Sequence, residues 1–420
     1  MGRRIIFTVS NDLSFDQRMH RICNSMSVAG YDIVLIGRQL KQSKPLEIKL
    51  FIQTRLQYLI FSKGKLFYLE YSIRLFFFLL FQRFDAICSI DLDTSVPGIL
   101  ACKLKSKPHV FDAHELFSHT PEVQRRPGIQ KIWLKIQRFT FNNSTANYTV
   151  GSAIALWFQE KYQKPVSVLR NMPIGNIDHR GRFLKATVQS NANNKKDDPM
   201  VASSNKIMRG STEVHLTNNI SIHTLPHSTI ELLKNRQFIL YQGALNEGRG
   251  LEILIRAMHQ IPCDLVLAGE GDLSQSLGEQ VSSENLQHKI FFLGMLDPSQ
   301  LPALASLAYL GFNVSENAGL SYYLSLNNKF FDYVQAHLPS LVNPFPEYEK
   351  LLGDFQVGLI TEPTVESIVR QANEMLTNQK LYQKIQSNCK DAARNWIWKN
   401  EEPQLIEIYK TLFSKPRLTS

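Results

Sequence analysis

A chain of 420 residues with 44% hydrophobic, 10% aromatic and 20% charged residues is larger than one hydrophobic core usually serves, and its composition is that of an ordinary globular protein of two domains. The five cysteines are scattered, odd in number and without a C-x-x-C pair, which argues for a reducing compartment and against a metal site. The formal charge of +10 is uneven: residues 1–177 hold 24 Lys and Arg against 12 Asp and Glu, whereas residues 178–420 hold 23 against 25.

In chain order, "MGRRIIFTVSND" reads as a first buried strand, because the apolar run from Ile5 to Val9 is too short for a signal peptide and a polar Ser-Asn-Asp follows it. The stretch "LFYLEYSIRLFFFLLF", residues 66–81, is interrupted by Glu70 and Arg74 well short of the ~20 apolar residues that a membrane span needs. A buried helix is the first expectation there and a membrane-facing one the second. Strand-like runs "IIFTVS", "YDIVLIG", "FDAICSI", "HVFDAH", "ANYTVGS" and "VSVLRN" recur with helical segments between them. They are continuous rather than alternating, as in parallel strands covered on both faces.

Residues 178–230 change character, with "SNANNKKDDP" and "HLTNNISIHT", and read as a mobile insertion too poor in large apolar residues to offset its ordering entropy. Its His215, His223 and His227 lack regular ligand spacing and nearby Cys, so no metal is expected. A second strand series follows: "FILYQG", "CDLVLAGEG", "IFFLG", "LAYLGFNV", "SLVNP" and "VGLIT". The expected organisation is therefore α/β, with an N-terminal Rossmann-like domain over 1–177, the insertion over 178–230 and a C-terminal Rossmann-like domain over 231–395. A last helix over 396–420 is expected to pack back on the first domain.

Three stretches carry candidate chemistry. In "VFDAHELFSHTPEV", residues 110–123, a strand ends in Asp112 and is followed by His114 and Glu115, at the carboxyl edge where α/β sheets bind ligands. An imidazole among carboxylates can donate a hydrogen bond or shuttle a proton, although a strand-end His is as often structural.

In "FILYQGALNEGRGLEIL", residues 238–254, Gly243 and Gly248 have P-loop spacing, but Arg249 stands where Lys is required and Gly250 where a hydroxyl would hold magnesium. NTPase chemistry is lost. Close backbone approach to a phosphate and a guanidinium able to grip its oxygens remain, so the loop is an Arg-assisted diphosphate candidate. The rival reading is a tight turn with a solvated arginine.

In "SENAGLSYYLSLNNKFFDYVQAHLPSLV", residues 315–342, Asn328 is the expected helix N-cap. That places Lys329 and Asp332 on neighbouring positions of one helix face, the first suited to a phosphate and the second to a pair of sugar hydroxyls. Glu316 is a further carboxylate upstream, and a capped surface helix with an ion pair is the alternative.

Taken together, these stretches resemble glycosyltransferases of the GT-B fold, specifically the retaining family four (group 1) type. "SNDLSFDQRMHRICNSMSVAGYDIVLIGR" is similar to the family's opening strand and helix, with Asp16, Arg18 and His20 in a D-x-R-x-x-R-like stretch. "DAHE", "VLRNMP", "YQGALNEGRGLEILIRAM", "LVLAGEGDL", "FFLGMLDPSQLP" and "NKFFDYVQAHLPSLV" continue the pattern in order. The resemblance implies two Rossmann-like domains facing across a cleft, with the acceptor on the first and a nucleoside-diphosphate sugar on the second.

By the same resemblance Gly243 opens the donor loop, Arg249 contacts the diphosphate, Lys329 lies near phosphate or ribose and Asp332 binds the ribose hydroxyls. Glu316 matches the first acid of the family's glutamate pair, against the donor sugar, and His114 the acceptor-side histidine; His114, Arg249 and Glu316 are the catalytic candidates. The spacing departs from the family, since Leu324 stands eight positions after Glu316 and the aligned acid, Asp332, lies sixteen on.

The function expected is a retaining transferase moving a sugar to a hydroxyl of a glycan or lipid-linked acceptor in envelope or extracellular polysaccharide synthesis. No cofactor or metal is implied; "DLD", Asp91 to Asp93, lies in the first half, away from the donor loop. A cytoplasmic protein is expected, with peripheral contact on an anionic membrane through the basic first half. No nucleic-acid motif is present. A sugar-nucleotide-binding protein without turnover and a non-hydrolysing epimerase are the alternatives.

Overall fold

The computed structural model describes residues 2–41, 43–57, 60–61, 64–175 and 225–414. The strands form two wholly parallel sheets, one for each of two α/β domains. The first contains β1 (Arg4–Thr8), β2 (Asp32–Arg38), β3 (Ile52–Leu56), β4 (Ala86–Ile90), β5 (His109–Ala113), β6 (Ala146–Thr149) and β7 (Ser167–Val168), in the order β3-β2-β1-β4-β5-β6-β7. The second contains β8 (Phe238–Gln242), β9 (Asp264–Ala268), β10 (Ile290–Gly294), β11 (Leu310–Asn313), β12 (Ser340–Val342) and β13 (Gly358–Ile360), in the order β10-β9-β8-β11-β12-β13.

The continuous apolar runs become fully buried central strands: every residue of β4, β5 and β8 is buried. The strand missing from the expected series is β3. It lies at the sheet edge with half-exposed residues, so nothing on its outer side requires the apolar run by which its neighbours are recognised. In each sheet the order reverses once, between β1 and β4 and between β8 and β11. Ligands of open parallel sheets bind outside the carboxyl ends of the strands at such reversals.

Helices cover both faces of the first sheet. On one face, Ile6, Val34, Ile36 and Ile87 pack against Phe67, Tyr71, Leu75 and Leu79 of the helix Gly64–Phe81 and against Ala101 and Cys102 of the helix Ser95–Leu104. On the other, Ile5, Phe7 and Leu35 share a core with Ile22 of the helix Gln17–Val28 and with Trp398, Leu405, Tyr409 and Leu412 of the helix Trp398–Ser414. The last helix is fixed to the first domain by polar contacts too: the Trp398 amide donates to Pro173 O at 2.7 Å and its indole to Ser25 Oγ at 2.8 Å.

Most of the expected insertion, including His215 and His223, lies outside the described residues. Its final part is ordered: Leu225, Thr229 and Leu233 are buried and His227–Leu233 is helical, because Leu225 and Leu233 seat on Phe238 and Leu240 of β8. The second domain thus begins a few residues before the expected boundary. Among the described residues no group of three or more His, Cys, Asp and Glu could hold a metal ion, and His227 is exposed, with its Nε2 4.0 Å from Glu231 Oε1.

The helix Gly64–Phe81 is neither fully buried nor a span. No described helix is long and apolar enough to cross a membrane, and the face opposite Phe67, Tyr71, Leu75 and Leu79 is open to solvent.

Candidate functional site

The glycine loop is built by contacts that leave no room for side chains. β8 ends at Gly243, whose φ is +128° and whose amide donates to Ala268 O at 2.9 Å. Beside it, a Cβ on Gly269, where φ is +152°, would stand 1.9 Å from Gly243 O. The two strand ends therefore meet as bare backbone, the close approach for which glycine is needed. Gly248 and Gly250, with φ of +77° and +69°, turn the chain on either side of Arg249 into the helix Leu251–Ala257.

Arg249 is thereby thrown across the loop. Its Nη1 donates to Asn327 Oδ1 at 3.4 Å and its guanidinium carbon lies 5.1 Å from the Tyr322 ring centroid.

The facing wall is the helix Asn328–Gln335. Its N-cap is Asn327 rather than the expected Asn328, and it makes no capping hydrogen bond. The Asn327 amide is engaged elsewhere, receiving Arg249 and donating to Asn313 Oδ1 at 3.1 Å. Asn328 is instead the first helical residue and accepts from Asn171 Nδ2 of the other domain at 2.8 Å.

At the next position, Lys329 Nζ lies 3.6 Å from the Tyr241 ring centroid. Burial, and then the charge of Arg249, hold its pKa well below the usual lysine range. The expected alternative of a helix-surface ion pair is not found: among the described residues no carboxylate pairs with Lys329 or Arg249. Asp332 opens to the cleft, where desolvation raises its carboxyl to about 6 against the pull of Arg21, and it accepts from Gln242 Nε2 at 3.3 Å. Gly243, Arg249, Lys329 and Asp332 line one cavity of about 220 Å³.

That cavity adjoins a cleft of about 1050 Å³, which also reaches Gln242, Asn327, Asn328 and Asp332 but whose opposite wall is the first domain. His114 and Glu115 stand on that wall at the end of β5, with Asp16, Arg18, His20 and Arg21 from the first helix. Asp16 caps the helix, accepting from the Met19 amide at 3.0 Å. Arg18 is almost fully buried and pairs with the buried Asp112 at 3.2 Å, while its Nε meets His114 Nε2 at 3.0 Å.

His114 Nε2 also lies 3.2 Å from Asp112 Oδ2. A single ring nitrogen cannot accept from Arg18 and donate to Asp112 at once, so the protonation of His114 decides which partner it serves. The carboxylates Asp112 and Asp91 raise the His114 pKa against the burial that would lower it. Burial in turn raises Asp91 to about 7.

Glu316 is not brought into the cavity. It follows β11 on a loop whose backbone is tied to the glycine loop, Glu316 N donating to Gly248 O at 2.9 Å. Its carboxyl is raised by burial and by Glu252 and Glu247, against the opposing pull of Arg256. It is absent from the lining of both spaces.

Among the lining residues that the sequence analysis did not single out are Arg21, Gln242 and Asn327. Arg21 occupies the last position of the D-x-R-x-x-R spacing, so its signal was present beside His20. Gln242 and Asn327 are amides adjoining recognised motifs, and only the facing of the two domains gives them a role.

This architecture, two parallel α/β domains with their carboxyl edges turned to a common cleft, is that of the GT-B proteins. The chain belongs to the glycosyltransferases of that fold: residues 227–396 match the model of the glycosyl transferases group 1, and residues 17–172 that of glycosyltransferase family 4. Among curated relatives, it is 26% identical over 185 residues to N-acetylgalactosamine-N,N'-diacetylbacillosaminyl-diphospho-undecaprenol 4-alpha-N-acetylgalactosaminyltransferase of Campylobacter jejuni, covering 43% of this chain and 48% of that one. It is 25% identical over 190 residues to an uncharacterized glycosyltransferase of Methanocaldococcus jannaschii, covering 43% and 47%. The matched segment spans about half the length of each of these relatives.

Among solved structures, HepE of Anabaena in complex with UDP and glucose superimposes with a TM-score of 0.69 at 14% identity, over 97% of this chain and all of that one. The sucrose-phosphate synthase of Thermosynechococcus elongatus does so with a TM-score of 0.73 at 13% identity, over 98% and 99%. At such identities the likeness is one of fold.

Proposed function

We propose that this protein transfers a sugar, with retention, from a nucleoside-diphosphate sugar held by the second domain to a hydroxyl of a glycan or lipid-linked acceptor held by the first. The observation that carries the reading is the pair Arg249 and Lys329: two basic side chains that make no salt bridge to a carboxylate among the described residues, on facing walls of one cavity, beside a backbone kept bare by glycines. A departing diphosphate brings the negative charge that such a pair lacks. Charge developing on that leaving group is stabilised most by donors already in place and poorly hydrated.

Arg249 is assigned to bidentate contact with the diphosphate, Lys329 to a phosphate oxygen, Gly243 to the close backbone approach, and Asp332 to the ribose hydroxyls. His114 is assigned to the sugar on the acceptor side, oriented by Asp112 and Arg18. The Glu316 amide ties the glycine loop through backbone atoms alone, so its carboxylate, which the family resemblance sets against the donor sugar, is given no part in the transfer. Two side-chain cations supply the charge that a divalent ion would otherwise bring, and no metal or other cofactor forms part of the proposal.

The lipid-linked class of acceptor is supported by the name of the Campylobacter relative, which contains a diphospho-undecaprenol, and retention by family membership. Placement in envelope or extracellular polysaccharide synthesis is supported by a structural neighbour described as involved in lipopolysaccharide biosynthesis, the glycosyltransferase WaaG, with a TM-score of 0.62. Five buried free thiols suit a cytoplasmic setting.

The test is thermal stability against UDP, GDP, ADP and CMP and their sugar conjugates, followed by transfer assays with the stabilising donor. Stabilisation by one diphosphate family identifies the base. If none of the nucleotides shifts the melting temperature and no donor is turned over, the reading fails.

A further inference from the structure

The helix Gly64–Phe81 has two apolar faces, of which packing uses one. Phe67, Tyr71, Leu75 and Leu79 recur every four residues and are buried against the sheet. Leu66, Leu69, Ile73, Phe77 and Phe81 recur every three or four on the outer side, with 52%, 58%, 49%, 55% and 83% of their surfaces exposed. The sheet needs only the first stripe for a core; the second is five large side chains standing in water along a helix of about 27 Å. A contiguous exposed stripe of this kind marks an interaction surface.

Its neighbours say what it meets. The helix Ser95–Leu104 packs beside it in the same layer and exposes Leu100 and Leu104. The helix Pro127–Asn143 continues the layer, with Trp133 against Tyr68 at 5.7 Å between ring centroids. That third helix presents Lys131, Lys135 and Arg138, all exposed and at helical spacing, together with exposed Ile132. Across the three helices there are six Lys and Arg and a single carboxylate, Glu70, and Glu70 already pairs with Arg74 at 3.5 Å and accepts from the Phe61 amide at 2.9 Å.

An apolar stripe beside a stripe of unopposed cations complements a surface that is apolar within and negative outside. We propose that this three-helix face docks the protein on an anionic lipid bilayer, with Leu66, Leu69, Ile73, Phe77 and Phe81 entering the headgroup and acyl boundary while Lys131, Lys135 and Arg138 meet anionic headgroups. The inference does not depend on the reaction proposed above, since docking requires neither donor nor turnover.

The experiment is flotation of the full chain with vesicles of phosphatidylcholine alone and of phosphatidylcholine with phosphatidylglycerol, at low and high salt. The native protein floats with the anionic vesicles and less so at high salt. Leu69→Glu/Phe77→Glu, which alters only exposed positions, abolishes flotation at an unchanged melting temperature. Lys131→Gln/Lys135→Gln/Arg138→Gln weakens it by about 100-fold, from the loss of three headgroup attractions.

Because all five native cysteines are buried, Phe81→Cys can be labelled alone with an environment-sensitive fluorophore, whose emission shifts to the blue on anionic vesicles if the stripe enters the bilayer. Absence of flotation by the native chain, flotation undiminished in Leu69→Glu/Phe77→Glu, or an unshifted Phe81→Cys label overturns the proposal. So does a native dimer that the same double substitution dissociates without any binding to vesicles, for then a second copy covers the face.

Discussion

The Glu347 carboxylate of the second domain sits on the first turn of the first-domain helix Ser152–Tyr162, where its Oε1 accepts from Ser152 Oγ at 2.6 Å and from the Ala153 amide at 2.5 Å. A carboxylate there does what an N-cap side chain does, but from another domain. Gly151 makes the approach possible, since a Cβ at that position would stand 3.2 Å from the Glu347 carboxyl carbon.

Glu347→Ala is therefore expected to weaken the closed arrangement by about 1 kcal/mol, the usual worth of a cap, while sparing each core. Small-angle scattering should show a larger radius of gyration for the variant without ligand. Glu347→Gln, which keeps the accepting Oε1, should behave as the native protein. Equal radii for all three would show that the domains are held by other contacts.

Arg249→Ala removes one of the two cations from the cavity but leaves the glycine loop intact. Turnover should fall about 100-fold or more, as when one preorganised donor to a developing negative charge is lost, with the melting temperature of the unliganded protein unchanged. Arg249→Lys should recover only part, because an ammonium lacks the two-pronged geometry. Native rates in a folded Arg249→Ala would remove this residue from the site.

Asp332 gives a pH signature. Its folded-state pKa of about 6 lies above its ordinary 3.8, so the folded protein holds the extra proton between roughly pH 4 and 6. The contribution of this group to stability is present below pH 4 and is lost as pH rises through 6. Only the ionised carboxylate accepts from two ribose hydroxyls, so nucleotide affinity should run the other way, strengthening from pH 5 to pH 7. Titration calorimetry across that range should show the rise in the native protein and a flat profile in Asp332→Asn. Parallel slopes in both would assign the pH dependence to another group.

Arg18 and Asp112 form an ion pair with side chains 5% and 0% exposed. Removing one partner leaves the other charge in the interior, so Arg18→Met should destabilise the fold by about 3 kcal/mol or more in denaturant titration. Arg18→Met/Asp112→Leu should recover much of that loss, because no charge is then stranded. If the double variant is less stable than the single one, the pair contributes net stability beyond mutual neutralisation.

The sequence by itself determined the two parallel sheets, because a strand buried on both faces must be apolar along its whole length, and the order of such runs fixes an α/β chain. It also offered Gly243 with Arg249 as one candidate and Lys329 with Asp332 as another, since glycines at a strand end and a cation three residues before a carboxylate are local facts of covalent spacing, while only the family resemblance implied that the two belong to one donor site. The tertiary structure alone decided what depends on residues distant along the chain. Asn327 is drawn from ordinary capping by Arg249, which lies seventy-eight positions away. Glu316 lines neither space although its backbone is tied to Gly248 of the glycine loop, and Arg21 is set opposite Asp332 only because two domains face each other. The helix Gly64–Phe81 illustrates the same limit: composition shows that it is apolar, but only the sheet beneath it decides which stripe is core and which is left to the surroundings.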